Sequence, residues 1–558
     1  MAIPVFWTTA PGLALGLCLA SFIATIVYFV KGTSRGKNFP PGPPTLPILG
    51  NMHLVPQERP YLKFTEWAKQ YGGIYSIKIA KQTIVLISDV KILKELYDKR
   101  GAIYSSRPLP HIGAEVVCPD QTHIIFMPYG ETSRSYRAQY HQFMGPGKVE
   151  QILPWQSAEA TLLLKKIATS PDRYYEHTMR MATAIILESV FGVLPKDYDD
   201  PEVTELWTVQ REFSEVLALT GPPVDHFPFL KWLPDIVSPW RIHARNIRAM
   251  HRKLYFRLLN LNKARMEKGE RYGTFVEKLI DDRPKHGLSD ERMAYVCATL
   301  MEAGSDTTAS QALDFMMALL AFPNVLKKAQ EEVDRICGTS RLPTLDDRDQ
   351  MPYIEACINE VLRWRPPLPY GAPHLLMKDD WYEGYFMPKG TVLFQVQWAM
   401  NMDESVYERP QDFVPERYIR NRFGTKFDAE KDAETGRKEQ YGFGLGRKIC
   451  PGQWFARNTL VSYPPLPRGI GFGADATQFV LFAKLVWAFD MKIPTDPKTG
   501  KPVPLDTDVR TAFMDGLTTT PFKFPIDFKI RSKAHEEAMN ADLVESDKVF
   551  AKYGGATV

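Results

Sequence analysis

The sequence predicts a mainly α-helical chain with small β-sheets, folded as one large domain. Three observations carry this. After Asp89 most long segments repeat their apolar residues at helical spacing, the longest running from Ser289 to Phe322. Two β-branched runs, Ile74–Ile79 and Thr83–Ile87, are separated by a short polar turn and read as a hairpin. Between about residue 45 and residue 530 there is no Gly/Ser linker, internal repeat or low-complexity block. A length of 558 residues alone suggests several domains, but no boundary is visible. With 44% hydrophobic and 12% aromatic residues the core is large, and a mean hydropathy of −0.25 argues against a polytopic membrane protein.

Taken in order, residues 1–30 carry no charged side chain. Pro11 to Val30 is long enough for one bilayer-spanning helix, and Lys31, Arg35 and Lys37 follow at once. Positive charge after a first apolar span places that flank in the cytoplasm. A cleaved signal peptide is the competing reading; the long apolar run without a preceding basic residue favours an anchor. Residues 31–51 form a basic, proline-rich hinge, Phe39-Pro40-Pro41-Gly42-Pro43-Pro44 at its centre, stiff and non-helical. Tyr61 to Gln70 has helical spacing, as does Tyr353 to Trp364. The prolines at 222, 223 and 228 break helices. Small sheets are expected again after residue 370. A catalytic body over 52–530 is followed by a polar C-terminal tail at 531–558.

Composition excludes several function classes. A net charge of +4 is too small for a nucleic-acid partner. Six cysteines without a CxxC pair read as reduced thiols in a cytosol-facing domain, and not as a zinc site.

The segment Phe443-Gly444-Leu445-Gly446-Arg447-Lys448-Ile449-Cys450-Pro451-Gly452 carries the most chemistry. Gly444 and Gly446 permit a tight turn that brings amide donors near a sulfur. A thiol at a helix N-terminus is easier to ionise, and a thiolate can be held there under an iron. Arg447 is suited to a haem propionate and Phe443 to the porphyrin face. The same residue types also suit a loop with a buried free cysteine; the order of ten residues is what makes the signal specific. Upstream, the long helix has Ser289 as N-cap, Asp290 and Glu291 in its first turn, and Phe322-Pro323 as its stop. Midway lies Ala303-Gly304-Ser305-Asp306-Thr307-Thr308. Ala303 and Gly304 leave room beside a flat cofactor, Thr307 can bond back to a carbonyl, and Asp306 is placed to relay protons. Glu360 and Arg363 lie on one helix face and can pair.

The cysteine segment resembles the haem-binding loop of the haem-thiolate monooxygenases, the cytochromes P-450. The pattern FxxGxRxCxG is met at Phe443, Gly446, Arg447, Cys450 and Gly452. The AGSDTT stretch is similar to the family's (A/G)Gx(D/E)T(T/S). Glu360 to Arg363 followed by Pro415-Glu416-Arg417-Tyr418 is similar to its ExxR and PERF pair. The resemblance covers about residues 38–530 and implies the cytochrome P-450 fold behind a single N-terminal transmembrane helix. It implies haem b with Cys450 as axial iron ligand, and Asp306 and Thr307 steering protons to dioxygen. Glu360, Arg363 and Arg417 are then structural, and Arg137, His374 and Arg447 are propionate partners. Where the family's WxxxR usually has Trp, this chain has Ser133, while Arg137 is kept. The proline hinge resembles that of microsomal members, which implies the endoplasmic reticulum membrane with a cytosolic catalytic domain. Implied partners are an NADPH-dependent P-450 reductase, with cytochrome b5 as a further donor, and a hydrophobic small molecule. Arg-Trp-Arg-Pro-Pro-Leu-Pro, starting at Arg363, looks similar to fungal secondary-metabolism members. Relatives that rearrange or dehydrate their substrates without a reductase are the alternative, as is a misspliced, haem-poor product. Arg134, Lys148 and Lys448 are suited to a basic face for an acidic reductase.

One segment departs from the pattern. Residues 461–478 contain three prolines and three glycines inside what should be a continuous helix from Gln453. Phe479 to Phe489 then resumes an apolar helical pattern. Val461-Ser462-Tyr463 can be encoded by GTGAGTTAT, which begins like a splice donor, and Gln478 by CAG, which ends like an acceptor. A translated intron and a genuine surface loop are the two readings.

Overall fold

The computed structural model describes residues 10–145, 152–217, 219, 221–453 and 476–553. It is mainly helical with small sheets. The N-terminal helix α1 spans Ala10–Thr33. Among the described residues no single helix is long and apolar enough to cross a membrane, and part of the anchor expected over 1–30 lies outside them. The proline hinge is stapled to the first strand. Prolines have no N–H, so such a segment is short of donors for its own carbonyls, and they accept from elsewhere. Arg35 reaches the carbonyls of Gly42 (2.6 Å) and Pro43 (2.5 Å), and the Ser76 hydroxyl donates to Pro40 (2.6 Å). A Cβ on Gly42 would stand 2.0 Å from the Ser76 carbonyl oxygen, so only glycine permits this approach.

Helix α2 (Pro60–Tyr71) precedes the hairpin of β1 (Ile74–Ile79) and β2 (Gln82–Ile87), paired antiparallel with Ile77 opposite Ile84. The sheet is completed from far along the chain. Strand β3 (His374–Leu375) is antiparallel to β6 (Val392–Gln395), and β6 runs parallel to β2. Between them β4 (Asp380–Tyr382) and β5 (Tyr385–Met387) form a separate hairpin. His374 enters the sheet because the prolines before it enforce extended backbone.

The helical body is built on α3 (Glu131–Met144), α4 (Leu153–Thr169), α5 (Tyr174–Phe191), α6 (Pro201–Val216), α7 (Pro239–Glu267) and α8 (Asp290–Ala321). Helix α8 has 32 residues and spans about 48 Å. The Ser289 hydroxyl caps it by accepting the Arg292 N–H, as the sequence predicts. It is closely packed against α5 and buried along most of its length, but opens at Ala303, Gly304 and residues 306–308. Helices α9 (Pro323–Cys337) and α10 (Pro352–Trp364) follow.

The apolar run after the insert is a helix, α11 (Ala476–Ala488), and Phe479 through Phe489 are all buried. Phe482 stacks on Phe315 of α8 at 3.8 Å between ring centroids. Positions 476–478 of the expected insert form the start of α11, and 461–475 lie outside the described residues. Beyond it β7 (Phe489–Lys492) pairs with β8 (Asp527–Ile530).

The expected polar tail at 531–558 is different in the structure. Lys533–Phe550 forms helix α12, docked on α4. His535, Met539, Leu543, Ser546 and Phe550 are buried, spaced to share one helical face. The buried ammonium of Lys484 on α11 donates to Thr161 of α4 (2.6 Å) and Asp542 of α12 (3.2 Å), so one cation ties three helices.

Candidate active site

The cysteine loop is held by its own backbone. Gly444 N–H donates to the Tyr441 carbonyl (2.9 Å), and Cys450 N–H to the Phe443 carbonyl (2.8 Å). Gly444 (φ 75°) and Gly446 (φ 62°) both adopt left-handed backbone. A Cβ on Gly446 would lie 2.1 Å from the Tyr97 carbonyl oxygen. Cys450 is half-buried and unpaired, and Phe443 is half-buried against the main core. The Cys450 sulfur faces the backbone N–H groups of Gly452 and Gln453. Burial nevertheless pushes its thiol up, outweighing those donors and the Arg137 charge. The two N–H groups pull in the direction expected of a helix start, and the expected helix beyond Gln453 lies outside the described residues.

Four basic side chains from distant segments converge beside this loop. Arg137 of α3 donates to the Ile449 carbonyl at 2.8 Å. Lys448 is buried, and its ammonium donates to the Met127 carbonyl at 3.1 Å. Arg107 donates to the carbonyls of Ala372 (3.0 Å) and Pro373. His374 is buried, its Nδ1 bonded to the Tyr104 carbonyl (2.8 Å) and its ring stacked on Tyr97 at 4.2 Å. Among the described residues none of the four has a carboxylate partner. The Nε atoms of Arg107 and Arg137 are buried with no hydrogen-bond partner among the described residues. Burial first, and mutual repulsion second, push Lys448 down to about 7 and Arg107 to about 10. His374 and Arg137 are lowered by burial as well.

Unpaired buried cations are costly, so such a cluster calls for an anion. The two propionates of a haem edge fit it. Arg107 and Lys448 were not singled out as propionate partners from sequence. The reading of Lys448 as part of an exposed basic face is corrected, because it is buried; Arg134 is exposed, and Lys148 lies outside the described residues. Arg447 is exposed, and its guanidinium donates to the Tyr129 hydroxyl at 2.5 Å. Ser133, standing where the family has Trp, accepts the Gly130 N–H (3.1 Å) and so caps α3.

The ExxR face is a completed network. Glu360 receives two bonds from Arg363 (2.8 Å each), one from Arg417 Nε (3.1 Å) and one from the Val414 N–H (2.8 Å). Arg363 also donates to the carbonyls of Asn401, Pro410 and Asp412. All three charged groups are buried, and together they fasten α10 to the segment that leads into the cysteine loop.

Where α8 opens, Thr307 donates to the Ala303 carbonyl at 2.8 Å, the back-bond its position predicts. Asp306 accepts from Thr518 and, at 3.4 Å, from Thr520.

A family model, Cytochrome P450, matches residues 40–461. The chain belongs to the cytochrome P450 family. Among its curated relatives are the Cytochrome P450 monooxygenase yanC of Aspergillus niger, 32% identical over 93% of this chain and 94% of that protein, and patH of Penicillium expansum, 35% identical over 91% and 92%. A further relative, from Arthrobotrys oligospora, is 32% identical over 99% of this chain and 100% of its own. This P450 is accordingly an oxygen-incorporating oxidoreductase of haem-thiolate type. The family implies haem iron, dioxygen, a redox partner and a hydrophobic substrate.

Sequence reasoning also missed a polar junction in this P450. Glu302, one residue before Ala303, is buried and accepts from His123 Nε2 (2.9 Å) and the Tyr255 hydroxyl of α7. Its carbonyl receives the Gln210 amide of α6 at 2.5 Å. Burial alone would raise the Glu302 carboxyl, but the His123 bond leads a set of partners that holds it low. His251 lies alongside with neither ring nitrogen bonded, pushed down to about 4 by burial. One residue thus joins α8 to α6, α7 and the segment before α3. Glu302→Ala leaves His123 and Tyr255 without their buried partner, and a loss of roughly 3–5 kcal/mol in urea unfolding is expected. A loss below about 1 kcal/mol would mean that the junction contributes little.

Proposed function

We propose that this P450 is a membrane-anchored monooxygenase that oxidises a hydrophobic secondary metabolite with electrons from an NADPH-dependent reductase, cytochrome b5 serving as a further donor. The observation that carries the haem assignment is the carboxylate-free cluster of Arg107, Arg137, Lys448 and His374 against the Cys450 loop. Cys450 would supply the thiolate that holds the iron. Arg107, Arg137 and Lys448, with His374 and Arg447, would hold the propionate edge, whose negative charge would offset the cost of burying the cations. The haem, once held, supplies dioxygen activation and the transfer of one oxygen atom to substrate, the other leaving as water.

The chain supplies position and protons. The open stretch at 303–308 leaves space on α8 for a small ligand. Burial raises the Asp306 carboxyl above the usual carboxylate range, the direction that suits a proton donor, while the Thr518 and Thr520 hydroxyls oppose the shift. Thr307 presents a hydroxyl that is already tied to Ala303 and so has a fixed direction.

The anchor at residues 1–30 rests on the uncharged first thirty residues and the basic flank behind them, and the hinge at 31–51 and the endoplasmic reticulum as location rest on the proline-rich segment and its resemblance to microsomal members. Residues 461–478 are read as a retained intron; the end of the family match at residue 461 supports this. Mature transcripts that all keep these codons would defeat it.

Co-expression with a P450 reductase tests the activity. The expected result is a carbon-monoxide band of thiolate type and a product carrying one atom from isotopically labelled dioxygen, formed only with NADPH. Product that forms without NADPH, or without label, would replace this reading by a redox-neutral rearrangement.

A further inference from the structure

Asp306 has bonded partners that the family motifs do not contain. Asp306 lies on α8, while its two bonded partners, Thr518 and Thr520, sit on a turn more than two hundred residues later. That turn is rigid. Phe513 and Pro521 bridge across it, and Met514 N–H donates to the Thr520 carbonyl at 2.8 Å. Thr519 is fixed to α10's exit by bonds to the carbonyls of Pro367 (3.0 Å) and Pro366 (3.3 Å), and Tyr175 of α5 donates to the Pro521 carbonyl at 3.1 Å. The backbone that carries both hydroxyls is therefore held in place.

No cation among the described residues pairs with Asp306; its side-chain partners are hydroxyls. A hydroxyl can both give and receive a proton, whereas a guanidinium cannot release one in this pH range. The two hydroxyls lead in different directions. Thr520 is buried, and its oxygen lies 2.5 Å from that of Ser310, which donates back to the Asp306 carbonyl at 2.9 Å. This branch closes on α8 itself. Thr518 is half-buried, and Met514 and Asp515 on the same turn are exposed. Only this branch leads outward.

We propose that Thr518 is the solvent-side relay for Asp306, a positioning and proton-returning residue in the oxygen reaction. When Asp306 gives its proton inward, the Thr518 hydroxyl proton passes to the Asp306 carboxylate and Thr518 takes one from water. One proton enters for each that leaves, and no electron moves. The inference rests on Asp306 acting as a proton donor, so the test separates the two.

The holoprotein is compared as wild type, D306N, T518V and T518S, each normalised to its carbon-monoxide band. The infrared carboxyl stretch that disappears in D306N belongs to Asp306. In T518V this band is expected to move to higher frequency as a hydrogen bond is lost, and in T518S to return. With reductase and NADPH, oxygen uptake in T518V is expected to slow by about tenfold, with a larger solvent isotope effect and more electrons recovered as hydrogen peroxide. T518S restores all three. If D306N slows uptake while T518V matches wild type in band and isotope effect, the Thr518 relay is overturned and the role of Asp306 stands. If D306N itself behaves as wild type, both fall. If T518S fails as badly as T518V, Thr518 is a packing residue and the relay is overturned.

Discussion

Cys450→Ser removes the carbon-monoxide band of thiolate ligation and, with it, NADPH-dependent oxidation. A serine hydroxyl does not ionise near neutral pH, so the anionic donor that favours O–O cleavage is gone. The fold should survive. The loop is held by backbone bonds from Cys450 N–H to Phe443 and Gly444 N–H to Tyr441, none of which uses the sulfur. The cation cluster is also untouched, so haem content measured after extraction should fall far less than activity. That split, haem largely kept and activity lost, is the expected signature. A variant with the parent's band and turnover would show that the iron is bound elsewhere.

Glu360→Gln is expected to cost about as much stability as this P450 has to spare. It leaves the buried guanidinium groups of Arg363 and Arg417 without their only carboxylate among the described residues. Breaking a buried pair by removing one partner costs roughly 3–5 kcal/mol, and here two cations are stranded. Typical domains are stable by only about 5–15 kcal/mol. The expected outcome is protein recovered mostly in aggregates, and a soluble fraction that melts well below wild type and lacks haem. Full haem loading with an unchanged melting temperature would mean that surrounding carbonyls alone can hold both arginines.

Much of the fold was legible because local rules agreed with the tertiary outcome. Helix α8 has its cap, its acidic first turn and its proline stop within one stretch of chain, and the β1–β2 hairpin needs only alternating residues and a turn. The glycines of the cysteine loop were legible for the same reason; φ 75° and 62° at Gly444 and Gly446 are what such residues permit.

The charge partners were less so. Arg107 is followed by proline in a short polar stretch that gives no hint of burial, and only the return of the chain at 372–374 encloses it. Arg447 and Lys448 are neighbours of like charge, yet one is exposed and the other buried, because the turn at Gly446 decides which way each points. Glu302 looks like a stray acid on an apolar helix until His123 and Tyr255 arrive from two other segments. In α12 the apolar positions are diluted by charges, so composition read as a tail what spacing made into a docked face.

The sequence by itself determined the family, since each of its motifs is written within a dozen contiguous residues. Only the tertiary structure decided which basic side chains converge beside the Cys450 loop, how Glu302 joins α8 to three other segments, and that Asp306 bonds to a hydroxyl from a distant turn. The division is physical. Backbone geometry and helix caps are set by neighbours along the chain, whereas burial and the pairing of charges depend on what distant segments bring within a few ångströms.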